Sequence, residues 1–201
     1  MKLKGKVAIV TAASSDRGSA IAELLASEGA SVTINYFKNR KSAESVLKRI
    51  ENRGGKAMVK QADVTVKASV NKMVKETVRK FGSIDILVNN AHGTIRRKAL
   101  EATVWNEFTE NLNGAIKGAH NCCLAVISEM QKKKWGRIIN IMDNIVNEPV
   151  KGYTCHITAQ SALVGLTRSL AVELGRFGLT ANLVNAGFTL AQKTPHEPPR
   201  I

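Results

Sequence analysis

The sequence predicts an α/β fold built on a doubly wound parallel sheet. Short β-branched segments that are apolar on both faces alternate with longer segments of helical periodicity. Strands of this kind are covered on both sides by helices, and they belong to parallel sheets. Right-handed crossovers between the strands then place ligand sites at their carboxyl ends.

Six strands and five helices follow one another in strict alternation. The strands are predicted at residues 7–11, 32–36, 56–61, 84–89, 137–142 and 180–185. The helices are predicted at residues 19–27, 41–53, 67–81, 154–176 and much of 105–133. Glycines such as Gly29 and Gly82 follow helix ends, as C-caps require. We therefore expect one Rossmann-like domain over residues 1–192 and a loose tail over 193–201, which holds three of the four prolines.

The charge of the chain is unusually basic. The formal net charge is +14 and the pI is about 10.0, which favours anionic partners such as phosphates or acidic carriers. A lysine-rich solvated surface would give the same numbers. Because no basic helix carries interleaved aromatic residues, we expect no specific nucleic-acid partner.

Segments that would direct the chain to a membrane are not evident in the sequence. No apolar run approaches the ~20 residues needed to span a bilayer, and the N-terminus does not read as a signal peptide. The three cysteines, Cys122, Cys123 and Cys155, have no metal-binding spacing, and reduced thiols are typical of the cytoplasm. We expect a soluble cytoplasmic protein with no membrane partner and no metal.

Several motifs, taken in their order and spacing, resemble the short-chain dehydrogenase/reductase family. The resemblance is to its NADP-preferring 3-oxoacyl-carrier-protein reductase-like members, and it extends to Gly187. It rests on VTAASSDRGSAIA at residues 10–22, Asp63-Val64, Asn89-Asn90-Ala91, Asn111, Asn182, and SALVGLTRSLAVELGRFG at residues 161–178. It implies a nicotinamide-dependent oxidoreductase that acts on a small-molecule carbonyl or alcohol.

The turn after the first strand departs from the family pattern. Three glycines are usual there, because the backbone must turn tightly and approach the pyrophosphate. Here the positions hold Ala12, Asp16 and Gly18. The carboxylate of Asp16 would repel phosphate, by roughly 1 kcal/mol at ~4 Å in water, and so weaken cofactor binding. Alternatively it points outward, where an acidic residue suits a helix N-terminus.

The resemblance also assigns the remaining cofactor contacts. No acidic residue ends the second strand, and two cations follow it, which favours the 2′-phosphate of NADP over NAD. The same two cations would also suit an ordinary basic surface. The residues implied to bind cofactor are Thr11, Ser14, Asp16, Arg17, Gly18, Tyr36, Lys38, Arg40, Asp63, Val64, Asn90, Ala91 and Gly187.

The proton-transfer group of the family is largely replaced. Asn111 matches the family asparagine, while Asp143, His156 and Gln160 occupy the serine, tyrosine and lysine positions. Asp143 and His156 are able to form an acid–base couple. Gln160 can hydrogen-bond a ribose hydroxyl but supplies no charge. The alternative is that all three are polar residues that merely line a cleft.

The C-terminal part also departs from the family. The resemblance implies a threonine near Ala191, a substrate-covering loop and further elements that this chain lacks. We therefore expect the sixth strand at a sheet edge, and at most a homodimer through the helices carrying Asn111 and His156. Three functions stay open: a reductase with altered catalytic residues, a catalytically silent nucleotide-binding or protein-interaction module, and an inactivated product.

Overall fold

A computed structural model describes residues 1–187 of the chain. Its strands are β1 Val7–Val10, β2 Ser31–Tyr36, β3 Lys56–Gln61, β4 Ile86–Asn89, β5 Gly136–Asp143 and β6 Leu179–Ala186. Its helices are α1 Asp16–Ser27, α2 Arg40–Asn52, α3 Lys67–Phe81, α4 Trp105–Leu112, α5 Gly118–Lys132 and α6 Thr154–Gly175. Short 3-10 turns lie at Leu100–Ala102 and Asn144–Val146. The alternation predicted from the sequence is confirmed. The expected tail lies outside the described residues.

The six strands form one parallel sheet in the order β3-β2-β1-β4-β5-β6. The strand order reverses between β1 and β4, because the chain first builds outward to β3 and then returns to the other side of β1. At this point the crossovers leave in opposite directions and open a crevice at the carboxyl ends. Predicted functional residues follow β1, β2, β3 and β4 and end β5 at that same edge, while Asn111, His156 and Gln160 lie on α4 and α6. β6 is the outer strand of the described sheet.

Both faces of the sheet are buried, as their apolar pattern requires. Along β1 the side chains of Val10 and Ile9 point into two separate apolar cores. The first core contains residues of α1 and α2, namely Ala22, Ala26, Ala43, Val46 and Ile50. The second contains residues of α3 and α5, namely Val70, Met73, Val74, Cys122, Cys123, Val126 and Met130. No helix within residues 1–187 is long and apolar enough to cross a membrane.

Most boundaries lie within two residues of the predictions, and two larger differences in the helices each have a local feature beside them. α1 begins at Asp16 because the Ser15 hydroxyl accepts a hydrogen bond from the Gly18 N–H at 3.2 Å and caps the helix. The long helical stretch expected over much of 105–133 is present, and it contains a π-helical turn at Asn113–Lys117 that the sequence pattern did not indicate. Gly114 of that turn packs against the backbone of Gly93, where an added Cβ would be 2.5 Å from the Gly93 Cα atom.

Candidate active site

The turn after β1 has the left-handed backbone conformation that usually requires glycine, although an alanine, Ala12, stands at that position. Ala12 has a φ of 49°, in the left-handed region, which costs a non-glycine residue about 1–2 kcal/mol. Its N–H donates to Asn35 Oδ1 at 3.1 Å, and its carbonyl accepts from the Ser15 hydroxyl at 2.8 Å. These hydrogen bonds hold the strained turn in place. Asn35 was not singled out from the sequence, although an amide within an apolar strand was a visible signal.

Gly18 is required by close packing at the start of α1. A Cβ atom there would collide with the Ala12 carbonyl oxygen and lie 2.8 Å from Asn90 Nδ2. Asn90 follows β4, and its side chain donates to the Thr11 carbonyl at 3.1 Å. The Thr11 hydroxyl in turn accepts from the N–H groups of Asn90 and Ala91, at 2.9 and 3.0 Å. Thr11, Gly18, Asn90 and Ala91 therefore join β1, α1 and β4 at the base of the crevice.

Asp16 is exposed at the first position of α1. A carboxylate there interacts favourably with the helix dipole, which agrees with the outward orientation considered above. Weakened cofactor binding through Asp16 stays a prediction.

A cavity of about 640 Å³ opens beside the ends of β1, β2 and β3. Predicted residues in its lining are Ser14, Lys38, Asp63, Val64 and Ala91. Residues in its lining that the sequence did not single out as cofactor contacts include Phe37, Thr65, Arg96 and Gly114. The volume lies within the usual range of small-molecule sites, about 300–1,000 Å³.

Of the two cations that follow β2, Lys38 lies at this cavity and Arg40 does not. Lys38 lines it, and no ion pair within the described chain involves Lys38. Arg40 instead pairs with Glu44 at 2.7 Å and lines a different cavity with the buried Tyr36. One Asp63 oxygen accepts from the N–H and hydroxyl of Thr65, at 2.9 and 2.8 Å. The structure therefore brings Lys38 and Asp63 to one cavity and places Tyr36 and Arg40 away from it.

The expected contact between Asp143 and His156 is present. Asp143 ends β5 and His156 lies in the first turn of α6, with 2.9 Å between Asp143 Oδ2 and His156 Nε2. The other carboxylate oxygen accepts from Arg17 Nη1 at 2.6 Å, and Arg17 Nε donates to Asn90 Oδ1 at 2.8 Å. The bridge from Arg17 was not foreseen. It links the first turn of α1 to β5 and passes over the end of β4.

This cluster holds Asp143 as a carboxylate. Burial works to raise the pKa of Asp143, but the hydrogen bonds from His156 and Arg17 and the charge of Arg17 outweigh it and lower the pKa to about 2. The side chains of Arg17 and Asp143 are 18% and 25% exposed, so water screens the pair only partly. Near neutral pH the position that holds a neutral serine in the family therefore carries a negative charge.

Three buried side-chain oxygens lack a hydrogen-bond partner among the described residues. They are Oδ1 of Asn89 at the end of β4, Oδ1 of Asn111 in α4, and Oε1 of Gln160 one turn after His156 in α6. Asn111 donates its amide to the Glu107 carbonyl at 3.0 Å, and Gln160 is 2% exposed. Buried acceptors of this kind are uncommon and point to a missing donor.

The two halves of the crevice differ in their fit to a nicotinamide dinucleotide. The half beside β2 and β3 is an open cavity with Lys38 in its lining. The half over β4 and β5 is crossed by the ion pair of Arg17 with Asp143. Gly187 is exposed just after β6. The position Ala191 lies outside the described residues.

Comparisons with known proteins agree with this architecture. The short chain dehydrogenase family model matches residues 6–199. A 3-oxoacyl-[acyl-carrier-protein] reductase of Staphylococcus aureus is 35% identical over 189 residues, which cover 94% of this chain and 76% of the relative. The (2S)-[(R)-hydroxy(phenyl)methyl]succinyl-CoA dehydrogenase subunit BbsD of Thauera aromatica is 37% identical over 187 residues, covering 93% of this chain and 74% of the relative.

Solved structures give the same result. A dehydrogenase/reductase from Sinorhizobium meliloti superposes with a TM-score of 0.90 at 33% identity, over 98% of this chain and 78% of that one. An NAD⁺-bound xylitol dehydrogenase superposes with a TM-score of 0.89 at 28% identity, over 93% and 72%. The chain belongs to the short-chain dehydrogenase family.

Proposed function

We propose that this chain is an NADP(H)-binding short-chain dehydrogenase-like protein whose carbonyl reductase activity is weak or absent. The observation that carries the proposal is the ionised Asp143, held between Arg17 and His156. As hydride reaches a carbonyl carbon, negative charge develops on the oxygen, and a fixed carboxylate nearby opposes it. Gln160 brings no positive charge to offset that effect.

The preference for NADP(H) is supported by Lys38. This lysine lines the open cavity, and no acidic residue ends β2 to bind ribose hydroxyls. A 2′-phosphate would meet the ammonium group there. We expect Lys38→Gln to weaken NADPH binding several-fold and to leave NADH binding unchanged. Arg40→Gln is the matched control, because Arg40 is paired with Glu44 and lies away from the cavity.

A second candidate is a slow reductase in which His156 donates the proton. It is favoured by the 2.9 Å contact between Asp143 Oδ2 and His156 Nε2, which holds an imidazole, a common proton donor in enzymes, beside a carboxylate. Both curated relatives described above act on acyl thioesters by name, so a 3-oxoacyl thioester is the substrate class to try first. His156→Ala would then abolish whatever turnover the wild type shows.

One pair of measurements tests the proposal. NADPH and NADH are titrated by calorimetry, and NADPH consumption is then followed with acetoacetyl-CoA. We expect NADPH to bind, and turnover to be lower by roughly 10²–10⁴ than that of an intact family reductase assayed in parallel, as when a positioned acid is lost. Turnover equal to that of the intact enzyme, or no binding of either cofactor, would contradict the proposal.

We also propose a homodimer through the helices that carry Asn111 and His156. α6 leaves an apolar and small-residue face uncovered, with Val172 83% exposed and open space beside Gly165. Trp105 at the start of α4 is 75% exposed. Burying such surface against a second copy would remove it from water.

A further inference from the structure

The crevice of a doubly wound sheet has two halves, one on each side of the switch point. A dinucleotide spans both, with its pyrophosphate at the N-terminus of the first helix. In this chain one half lies beyond β2 and β3, and the other lies beyond β4 and β5. In the structure the first half is an open cavity, and the second half is crossed by a chain of polar contacts.

The first half is open and chemically suited to a nucleoside phosphate. Its cavity of about 640 Å³ is lined by the cations Lys38 and Arg96 and by the acidic Asp63 and Glu110. Glu110 is paired with Arg96, and Asp63 accepts hydrogen bonds from Thr65, so Lys38 is the cation left for a phosphate. Phosphate groups placed there would meet the ammonium group of Lys38, and also the guanidinium group of Arg96, which is paired with Glu110 at 3.1 Å. The lining contains none of Arg17, Asp143, His156 or Gln160.

The second half is spanned by a chain of polar contacts from α1 to α6. Arg17 leaves α1, bonds Asn90 after β4, and reaches Asp143 at the end of β5. Asp143 then bonds His156 of α6. Because β4 lies between β1 and β5 in the sheet, this chain of side chains lies across the space above β4. A second nucleotide would have to break the ion pair, which is only about one fifth exposed, before it could enter.

An unsatisfied group lies behind this bridge. Gln160 is buried, and its Oε1 atom accepts no hydrogen bond from the described residues. It lies one helical turn after His156 on α6, so it faces the same side of the helix. A ligand hydroxyl that reached this acceptor would supply the donor that the described residues do not.

Resting on the proposed function, we propose that the resident ligand class of this chain is an adenosine phosphate rather than a whole dinucleotide. The Arg17–Asp143 bridge bars the nicotinamide half, and NADP⁺ binds through its adenosine 2′-phosphate end alone. The apparent affinity for a ligand that needs an uncommon open state is lowered by the fraction of molecules in that state. The bridge therefore removes the affinity that the nicotinamide end would add.

Calorimetry on the full chain with three ligands tests this proposal. For the wild type we expect adenosine 2′,5′-bisphosphate and NADP⁺ to bind within about threefold of each other, and nicotinamide mononucleotide not to bind. Arg17→Met removes the bridge without adding charge, and we expect it to tighten NADP⁺ by about tenfold or more relative to the bisphosphate. Arg49→Met is the matched control, since Arg49 is paired with Glu23 on the outside of α1 and α2. That control leaves the affinity ratio unchanged.

Saturation-transfer NMR of NADP⁺ gives a second readout that does not depend on affinities. We expect transfer from the wild type to the adenine protons and not to the nicotinamide protons, with nicotinamide signals appearing for Arg17→Met. Equal transfer to both rings of NADP⁺ in the wild type would overturn the inference. So would a wild type that binds NADP⁺ more than about tenfold tighter than the bisphosphate, with the same ratio in Arg17→Met. If no nucleotide binds wild type or variant, the proposed function itself fails.

Discussion

Replacing Asp143 with asparagine tests the charge cluster directly. Asparagine keeps the shape of the side chain but removes the carboxylate that accepts from Arg17 and His156. A fall in the pKa from 3.8 to about 2 corresponds to about 2 kcal/mol of stabilisation of the folded, ionised state. A charge-assisted hydrogen bond of this kind contributes about 1.5–3 kcal/mol, which gives the same scale. We therefore expect Asp143→Asn to lower the free energy of unfolding by about 2 kcal/mol near neutral pH.

The direction of the pH dependence follows from the depressed pKa. The folded-state pKa of Asp143 lies below its unfolded value, so its stabilisation is complete above about pH 5 and declines as the pH falls toward 2. About half of it is gone by pH 3. Urea unfolding of the wild type and Asp143→Asn at about pH 7, 5, 4 and 3 measures the gap between them. Groups that titrate alike in both proteins cancel in that difference.

Glu44→Gln serves as the control for the loss of an ion-paired carboxylate. Glu44 pairs with Arg40 at 2.7 Å, and the side chains of Glu44 and Arg40 are 43% and 74% exposed. Pairs so open to water contribute about 0–1 kcal/mol. The reasoning is refuted if Asp143→Asn is as stable as the wild type at neutral pH, or if the gap between them is the same at pH 3 and pH 7.

Three further changes probe the framework of the site. Ala12→Gly removes a left-handed alanine and should raise the free energy of unfolding by about 0.5–1 kcal/mol. Lys134→Gly, at a φ of 51° far from the crevice, should have the same effect. If urea unfolding shows Ala12→Gly to be less stable than the wild type, the turn is unstrained. Gly18→Ala should destabilise the fold by about 1–3 kcal/mol and abolish nucleotide binding in calorimetry. Its control is Gly165→Ala, which has open space around it and should stabilise α6 by up to ~1 kcal/mol. Equal effects of the two substitutions on stability would refute the packing argument. Val172→Glu should convert a dimer to a monomer in light scattering, and an unchanged mass would exclude α6 from the interface.

The fold could be predicted because its signals are local. β3 and α3 begin and end where the sequence pattern places them, at Lys56–Gln61 and Lys67–Phe81. The π-helical turn between α4 and α5 could not be predicted in the same way. It contains Gly114, which packs against Gly93, and these residues are adjacent only in the folded chain.

The candidate site was predictable where the spacing of a motif fixes the position of a residue in the sheet. Asp143 at the end of one strand and His156 at the start of the next helix were expected to meet, and they do. The partner Arg17 is 126 residues away in the sequence from Asp143, and only the strand order β1-β4-β5 brings them together. Arg40 shows the opposite case, since its pairing with Glu44 turns it away from the cavity that its neighbour Lys38 lines.

The Arg17 bridge also decides how activity could be restored. Asp143→Ser, His156→Tyr and Gln160→Lys together recreate the family residues, but they leave the half-buried Arg17 without its carboxylate and near a new lysine. An unpaired, partly buried cation destabilises its surroundings and repels that lysine. We therefore expect the triple variant to gain little turnover with NADPH and acetoacetyl-CoA, and the quadruple variant that adds Arg17→Met to exceed it by about 10²-fold or more. Equal turnover in the two variants would show that Arg17 plays no part. Inactivity in both variants, with folding intact by circular dichroism, would indicate that the turn after β1 is what prevents activity.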